Sequence, residues 1–177
     1  MRKTLNIFII LTIICFNVFL FLYCFFAIKY PSRFNDEIRQ VSKSVGVDEN
    51  LIKAVCCVES RFNQNAQSRA GAIGVMQLLP ETAIYVCDMY EIDEEIDLFN
   101  AKDNILIGSL YLKYLQGRFV NQNTMLASYN AGEGNVVNWL QNANFSDDGT
   151  TLKHIPFKET RSYIKKVNKA INFYKKQ

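Results

Sequence analysis

Between Lys3 and Lys29 the chain carries no charged residue, and Leu5 to Ile28 is built largely from Ile, Leu, Phe and Val. A helix over that stretch would rise about 36 Å, enough to cross a hydrocarbon layer of roughly 30 Å with some tilt. A core helix of a soluble protein seldom runs so long without a charge. A cleavable signal peptide is the nearer rival, but its apolar core spans about 7–15 residues and ends at a small-residue site. This run is longer and closes in "YCFFAIKYP", with no Ala-x-Ala pattern. The expectation is therefore an uncleaved single-pass transmembrane anchor over residues 1–28. Arg2 and Lys3 precede it while Lys29 and Arg33 follow it, so positive charge is nearly balanced and does not set the orientation. Asn6, Thr12 and Asn17 interrupt the run without charging it.

After a short linker over residues 29–36, residues 37–177 have room for one domain. Asp36 to Ser44 reads as a short helix stopped by Gly46. Asp48 caps the next, whose apolar stripe Leu51, Ile52, Val55, Val58 runs up to Glu59. Residues 61–79 lack a sustained period and read as an ordered loop. Pro80 begins a helix through Met89. Asn104 to Leu115 is amphipathic, with Ile105, Gly108, Leu112 and Leu115 on one face and Gly117 as its stop. Met125–Tyr129 and Val136–Leu140 bracket the "YNAGEG" turn, and Glu159 to Lys175 closes the chain. No stretch alternates as a strand should, so the domain is expected to be all-α with one core and a groove.

Several function classes find little support. The formal charge is +3, and Arg2 and Lys3 supply two of those units, so no basic footprint calls for nucleic acid. Lysines gather from Lys153 to Lys176, where solvation or attraction to an anionic envelope polymer would both fit. His154 is the only His, which leaves a zinc site almost without ligands. Cys56, Cys57 and Cys87 lie outside the apolar span without a Cys-x-x-Cys spacing and read as small buried hydrophobes, with a bridge to Cys87 left open. Asp93, Glu94, Glu95 and Asp97 crowd one inter-helix segment without the order of a calcium loop, and read as a solvated face.

Glu59 differs from those acids in context. It ends an apolar helical run, where burial raises a carboxyl pKa into the range useful for proton donation. Gly71, Ala72 and Gly74 let backbone approach a ligand closely. Gln77 adds an amide suited to sugar hydroxyl or acetamido groups, and Met76 an adaptable apolar contact. Tyr129 and Asn130 open a second tight, polar-aromatic turn with Ala131 and Gly132. Together they suit a groove for a neutral polar polymer.

Four ordered blocks, "ESRFNQNAQSRAGAIGVMQLLPETA", "NILIGSLYLKYLQGRF", "ASYNAGEGNVVNWL" and "IPFKETRSYIKKV", resemble the successive motifs of the soluble-lytic-transglycosylase catalytic domain, a lysozyme-like fold. The resemblance implies an enzyme that cleaves the β-1,4 bond between N-acetylmuramic acid and N-acetylglucosamine in peptidoglycan. It implies Glu59 as the catalytic acid and base, with Ser60 supporting the sugar beside it. It also places Met76, Gln77, Tyr129, Asn130, Glu159 and Tyr163 on the glycan, Tyr129 orienting the acid. Val75 stands where Leu is common, Cys57 sits in the helix before the Glu, and Glu133 follows YNAG where Pro is frequent; an exposed turn is the simplest reading of Glu133. No comparably placed second acid is evident in the sequence. The implied reaction needs no metal or nucleotide cofactor and ends in a 1,6-anhydromuramic product, consuming no water. Hydrolysis of the same bond, or glycan binding without catalysis, are the alternatives. The implied location is the bacterial cytoplasmic membrane, with residues from about 29 outward on the extracytoplasmic side. The implied partners are peptidoglycan strands and that membrane, with envelope or cell-wall assembly proteins as further candidates.

Overall fold

The computed structural model describes the backbone of residues 2–177 and the side chains of residues 12–177. Among them are eight α-helices and no β-strand, only isolated bridges. The chain divides into two compact units, the boundary falling between Ser32 and Arg33.

The first unit is helix α1, Arg2–Lys29. It is long and apolar enough to cross a membrane, and its window from Thr12 to Lys29 has no side chain covered by protein. Phe16, Phe19, Phe21 and Tyr23 are all exposed. Asn17 returns its amide to the helix, Nδ2 donating to the Ile13 carbonyl at 2.8 Å, so one of its two N–H donors is satisfied within the helix. Arg2, Lys3 and Asn6 lie outside the described side chains.

The second unit holds the remaining helices: α2 (Asn35–Val45), α3 (Glu49–Ser60), α4 (Pro80–Met89), α5 (Ala101–Arg118), α6 (Gln122–Ala131), α7 (Glu133–Leu140) and α8 (Lys158–Tyr174). Helix α2 begins inside the expected linker, at Asn35, and closes on Gly46 at φ 77°. Asp48 caps α3 by accepting from the Asn50 amide. Helix α3 is buried almost all round, at Leu51, Ile52 and Ala54 to Cys57. It packs chiefly on α8, whose buried face is Thr160, Tyr163, Ile164, Val167, Ala170, Ile171 and Tyr174. Full burial of an aliphatic side chain such as Ile52 is worth roughly 1.5–3 kcal/mol, so this contact seats α3 firmly.

Gly117 does not stop α5, which runs on to Arg118. Phe119 is buried, its amide donates to Leu115 at 2.9 Å, and Arg118 pairs with Glu133. Those contacts outweigh the roughly 1 kcal/mol that a glycine costs inside a helix. None of the five cysteines is in a disulfide, and Cys56 and Cys57 are buried, so no bridge to Cys87 forms.

Candidate active site

Helix α3 ends immediately after Glu59 without a glycine. Arg61 and Phe62 both adopt left-handed backbone, at φ 55° and 62°, and their amides return to the carbonyls of Cys57 and Cys56. Non-glycine residues held there store strain of about 1–3 kcal/mol each, sustained only where the surroundings over-determine them. Burial of Phe62 supplies part of that constraint. Ser60 supplies another: its hydroxyl donates to the Val75 carbonyl at 2.7 Å and accepts from the Asn63 amide. Its oxygen is thus engaged in tying the helix end to the following loop.

That loop, residues 61–79, is held from below by Asn104 on α5. The fully buried Asn104 accepts from the Met76 amide at 2.7 Å and donates to the carbonyls of Ile73 and Leu98, each at 2.9 Å. Gly74, at φ 81°, lies so close that a Cβ would stand 2.2 Å from Asn104 Nδ2 and 2.4 Å from the Leu98 carbonyl. Met76 is fully buried, its sulfur packed where Gly108 leaves room on α5. The expected apolar contact between Met76 and a ligand is therefore absent; its side chain belongs to the core, and only its backbone serves the site.

Above the loop lies a cleft of about 370 Å³, lined by Glu59, Gln77, Leu79, Thr82, Tyr111 and Tyr129 together with Asn130, Gly132 and Glu159. Across Glu59, Asn130 and Glu159 a second cavity of about 620 Å³ continues, reaching Ser162, Tyr163, Lys158 and Lys166. Glu59 thus stands between two cavities, as an acid would that acts at the junction of two bound groups. The paired amides are complementary. Gln77 Nε2 donates to the Ala66 and Gly74 carbonyls, leaving its oxygen to accept, while Asn130 Oδ1 accepts from Thr160, leaving its nitrogen to donate.

Burial pushes the Glu59 carboxyl up to about 7, with Glu159 adding to the rise and the Tyr163 hydroxyl opposing it. The Tyr163 hydroxyl faces the acid but makes no hydrogen bond of good geometry to any group, and is buried. Tyr129 behaves differently: its hydroxyl donates to the Met76 carbonyl at 2.9 Å. Burial, and then Glu59, keep that phenol's pKa well above its ordinary value. Tyr111, which the motifs did not mark as a site residue, packs on Tyr129 and lines the cleft. Glu133 is not an idle turn residue: Tyr114 donates to it at 2.8 Å and Arg118 at 2.9 Å. Asn104 also escaped the sequence reading, although a polar residue one turn before Gly108 on an apolar stripe is a usable signal. Among the described residues, no three His, Cys, Asp or Glu side chains group as a metal site.

An α-helical domain that sets a half-shielded acid where two tyrosine-lined cavities meet has an arrangement suited to acid–base chemistry. The family model described as the transglycosylase SLT domain matches residues 36–151, and the chain belongs to that family. Helix α8, with Glu159 and Tyr163, lies beyond the matched span.

The soluble lytic murein transglycosylase of Salmonella typhimurium is 33% identical over 144 residues, covering 78% of this chain and 22% of that protein. The membrane-bound lytic murein transglycosylase C of Edwardsiella ictaluri is 32% identical over 173 residues, covering 84% of this chain and 48% of that protein. The chain therefore spans about a quarter to a half of the length of these relatives. Among solved structures, an inactive mutant of lytic transglycosylase Slt from Pseudomonas aeruginosa superposes with a TM-score of 0.74 at 30% identity, covering 84% of this chain and 25% of that one. The 70 kDa soluble lytic transglycosylase of Escherichia coli also gives 0.74 at 30% identity, covering 86% and 26%.

Proposed function

We propose that this chain is a membrane-anchored lytic transglycosylase. On this reading it cleaves the β-1,4 bond between N-acetylmuramic acid and N-acetylglucosamine in peptidoglycan, with Glu59 as acid and base. The observation that carries it is the Glu59 carboxyl, raised to about 7 by burial and set between two cavities in a domain of this family. A carboxyl with that pKa is protonated to a useful extent near neutrality and can then give its proton up. The names of the relatives supply the substrate class.

Glu59 protonates the glycosidic oxygen, and the bond to the muramic C1 breaks as that oxygen leaves with the proton. The carbonyl oxygen of the muramic N-acetyl group stabilises the developing cation, closing an oxazolinium-like ring. Glu59, now a carboxylate, removes the proton from the C6 hydroxyl of the same sugar. The C6 oxygen attacks C1, expels the acetamido oxygen and leaves a 1,6-anhydromuramic end. Glu59 recovers its proton and no water is consumed.

Gln77, Asn130 and Glu159 offer acceptors and donors to sugar hydroxyl and acetamido groups along the cleft. Tyr129 acts through the Met76 carbonyl and by covering the acid, while Tyr163 acts on the acid's second face. Ser60 and the Met76 backbone serve the site by fixing its floor. Glu159 raises the pKa of Glu59 and contacts substrate; it is assigned no nucleophilic role. Residues 1–28 would be the anchor, 29–36 the linker and 37–177 the catalytic domain. Its substrate places that domain on the extracytoplasmic side of the bacterial membrane.

Glu59→Gln should keep sedimenting with insoluble peptidoglycan while its turnover falls by about 10²–10⁴-fold. Turnover near wild type from the folded variant would refute the assignment.

A further inference from the structure

The features that line the cleft continue past it. On α4, Thr82 lines the cleft and Tyr85 follows three residues later; on α5, Tyr111 lines it and Tyr114 follows at the same spacing. Residues three apart on a helix share a face, so both walls extend outward in tyrosine. At the corner between α6 and α7, Gly132 lines the cleft and Glu133 is the next residue.

The rings form an unbroken row. Tyr129 and Tyr111 lie 5.5 Å apart at 44°, Tyr111 and Tyr114 6.3 Å apart at 17°, and Tyr114 and Tyr85 5.8 Å apart at 78°. Its outer end is tied at the hydroxyls: Tyr85 donates to the Tyr114 oxygen at 3.2 Å, Tyr114 to Glu133 Oε2, and Arg118 Nε to Glu133 Oε1. Yet Tyr85 stays 46% exposed. Tyr114, half-exposed, and Tyr85, exposed, are held at their polar tips and present apolar area that is already ordered before a ligand arrives.

We propose that Tyr111, Tyr114 and Tyr85 form an outer platform for a glycan chain, the C–H faces of successive sugar rings resting on the phenol rings. Long strands are thereby held beyond the acid–base centre. Glu133 is the positioning residue, orienting two rings through Tyr114 without touching the sugar. The inference rests on the function proposed above, since it takes the cleft's ligand to be a glycan.

The test measures binding by the full chain in detergent on the Glu59→Gln background, so that no probe is consumed. The probes are peptide-free glycan strands from peptidoglycan and a tetrasaccharide of the same repeat. Tyr85→Ala should weaken strand binding roughly threefold to tenfold and narrow the preference for strands over the tetrasaccharide. Tyr85→Phe, which keeps the ring and loses the hydroxyl, should retain most of the affinity. Glu133→Ala should give a smaller loss of the same sign. Equal losses from Tyr85→Phe and Tyr85→Ala would overturn the platform in favour of a purely hydrogen-bonded role. Unchanged or tighter strand binding by Tyr85→Ala would also overturn it, tighter binding marking the rings as a stop. If the folded Glu59→Gln chain holds neither probe, the proposed function fails and takes the platform with it. Binding that is the same with and without Tyr85 removes the platform alone.

Discussion

Two tyrosines from different helices stand near Glu59, one lining each of its two cavities, and their hydroxyls are used in different ways. On the α6 side, Tyr129 donates to the Met76 carbonyl, so its oxygen is spent on the loop that Asn104 and Ser60 also hold. On the α8 side, the Tyr163 hydroxyl is buried, faces the acid and has no well-formed hydrogen bond. One side of the acid is therefore a fixed support, satisfied before any ligand arrives. The other turns its buried hydroxyl to the carboxyl itself and ties it to nothing else, and a buried polar group so placed calls for a functional explanation. Motif resemblance gives the orienting role to Tyr129; in the structure the Tyr163 hydroxyl is the one that faces the carboxyl, while the Tyr129 hydroxyl is bound to the loop.

The largest effect should come from removing the group between the two. Beyond the activity loss expected above, Glu59→Gln should raise stability at alkaline pH. The folded-state pKa lies near 7, above the ordinary 4.5. The folded state therefore binds more protons between those values, and stability falls as pH rises through about 7. The variant abolishes that dependence and should gain about 1–3 kcal/mol at pH 8, read as a higher Tm. No gain would mean that the acid is well solvated. The support side is tested next by Asn104→Ala, which leaves the Met76 amide and the Leu98 carbonyl without this partner, while the Ile73 carbonyl still accepts from the Leu78 amide. A loss of about 2–4 kcal/mol in chemical denaturation is expected; a loss below about 1 kcal/mol would show the loop to be held otherwise.

Tyr129→Phe and Tyr163→Phe then set the two sides against each other. Tyr129→Phe should cost about 1 kcal/mol of stability, the usual worth of a neutral hydrogen bond, and lower turnover without moving the pH profile. Tyr163→Phe should cost little stability but release Glu59 from the group that opposes its rise. The alkaline limb of the pH–rate profile should then move to higher pH, by less than about one unit. A shift from Tyr129→Phe and none from Tyr163→Phe would reverse the comparison.

The helices were legible because each carries its own local signal, such as Asp48 as a cap, Pro80 at a first turn and Gly46 at an end. Glu59 was legible for a related reason, since an acid closing an apolar run stands out against its neighbours. Gly117 misled because a local penalty lost to long-range contacts, the burial of Phe119 and the Arg118–Glu133 pair. Met76 misled differently. Its place beside Gln77 suggested a shared surface, but the left-handed turn at Gln77, φ 51°, sends the two side chains apart, one to the core and one to the cleft. The Asn104 clamp joins residues about thirty positions apart, and the proximity of Glu159 to Glu59 spans a hundred. Such pairings are decided by how α5 and α8 pack, which no single stretch of sequence records.

The most direct test is mass spectrometry of purified peptidoglycan digested by the full chain beside its Glu59→Gln variant. The account predicts muropeptides with anhydromuramic ends, lighter by one water than hydrated products and missing from the variant digest. Products with reducing muramic ends would contradict it, because they would require Glu59 to activate water rather than the sugar's own C6 hydroxyl.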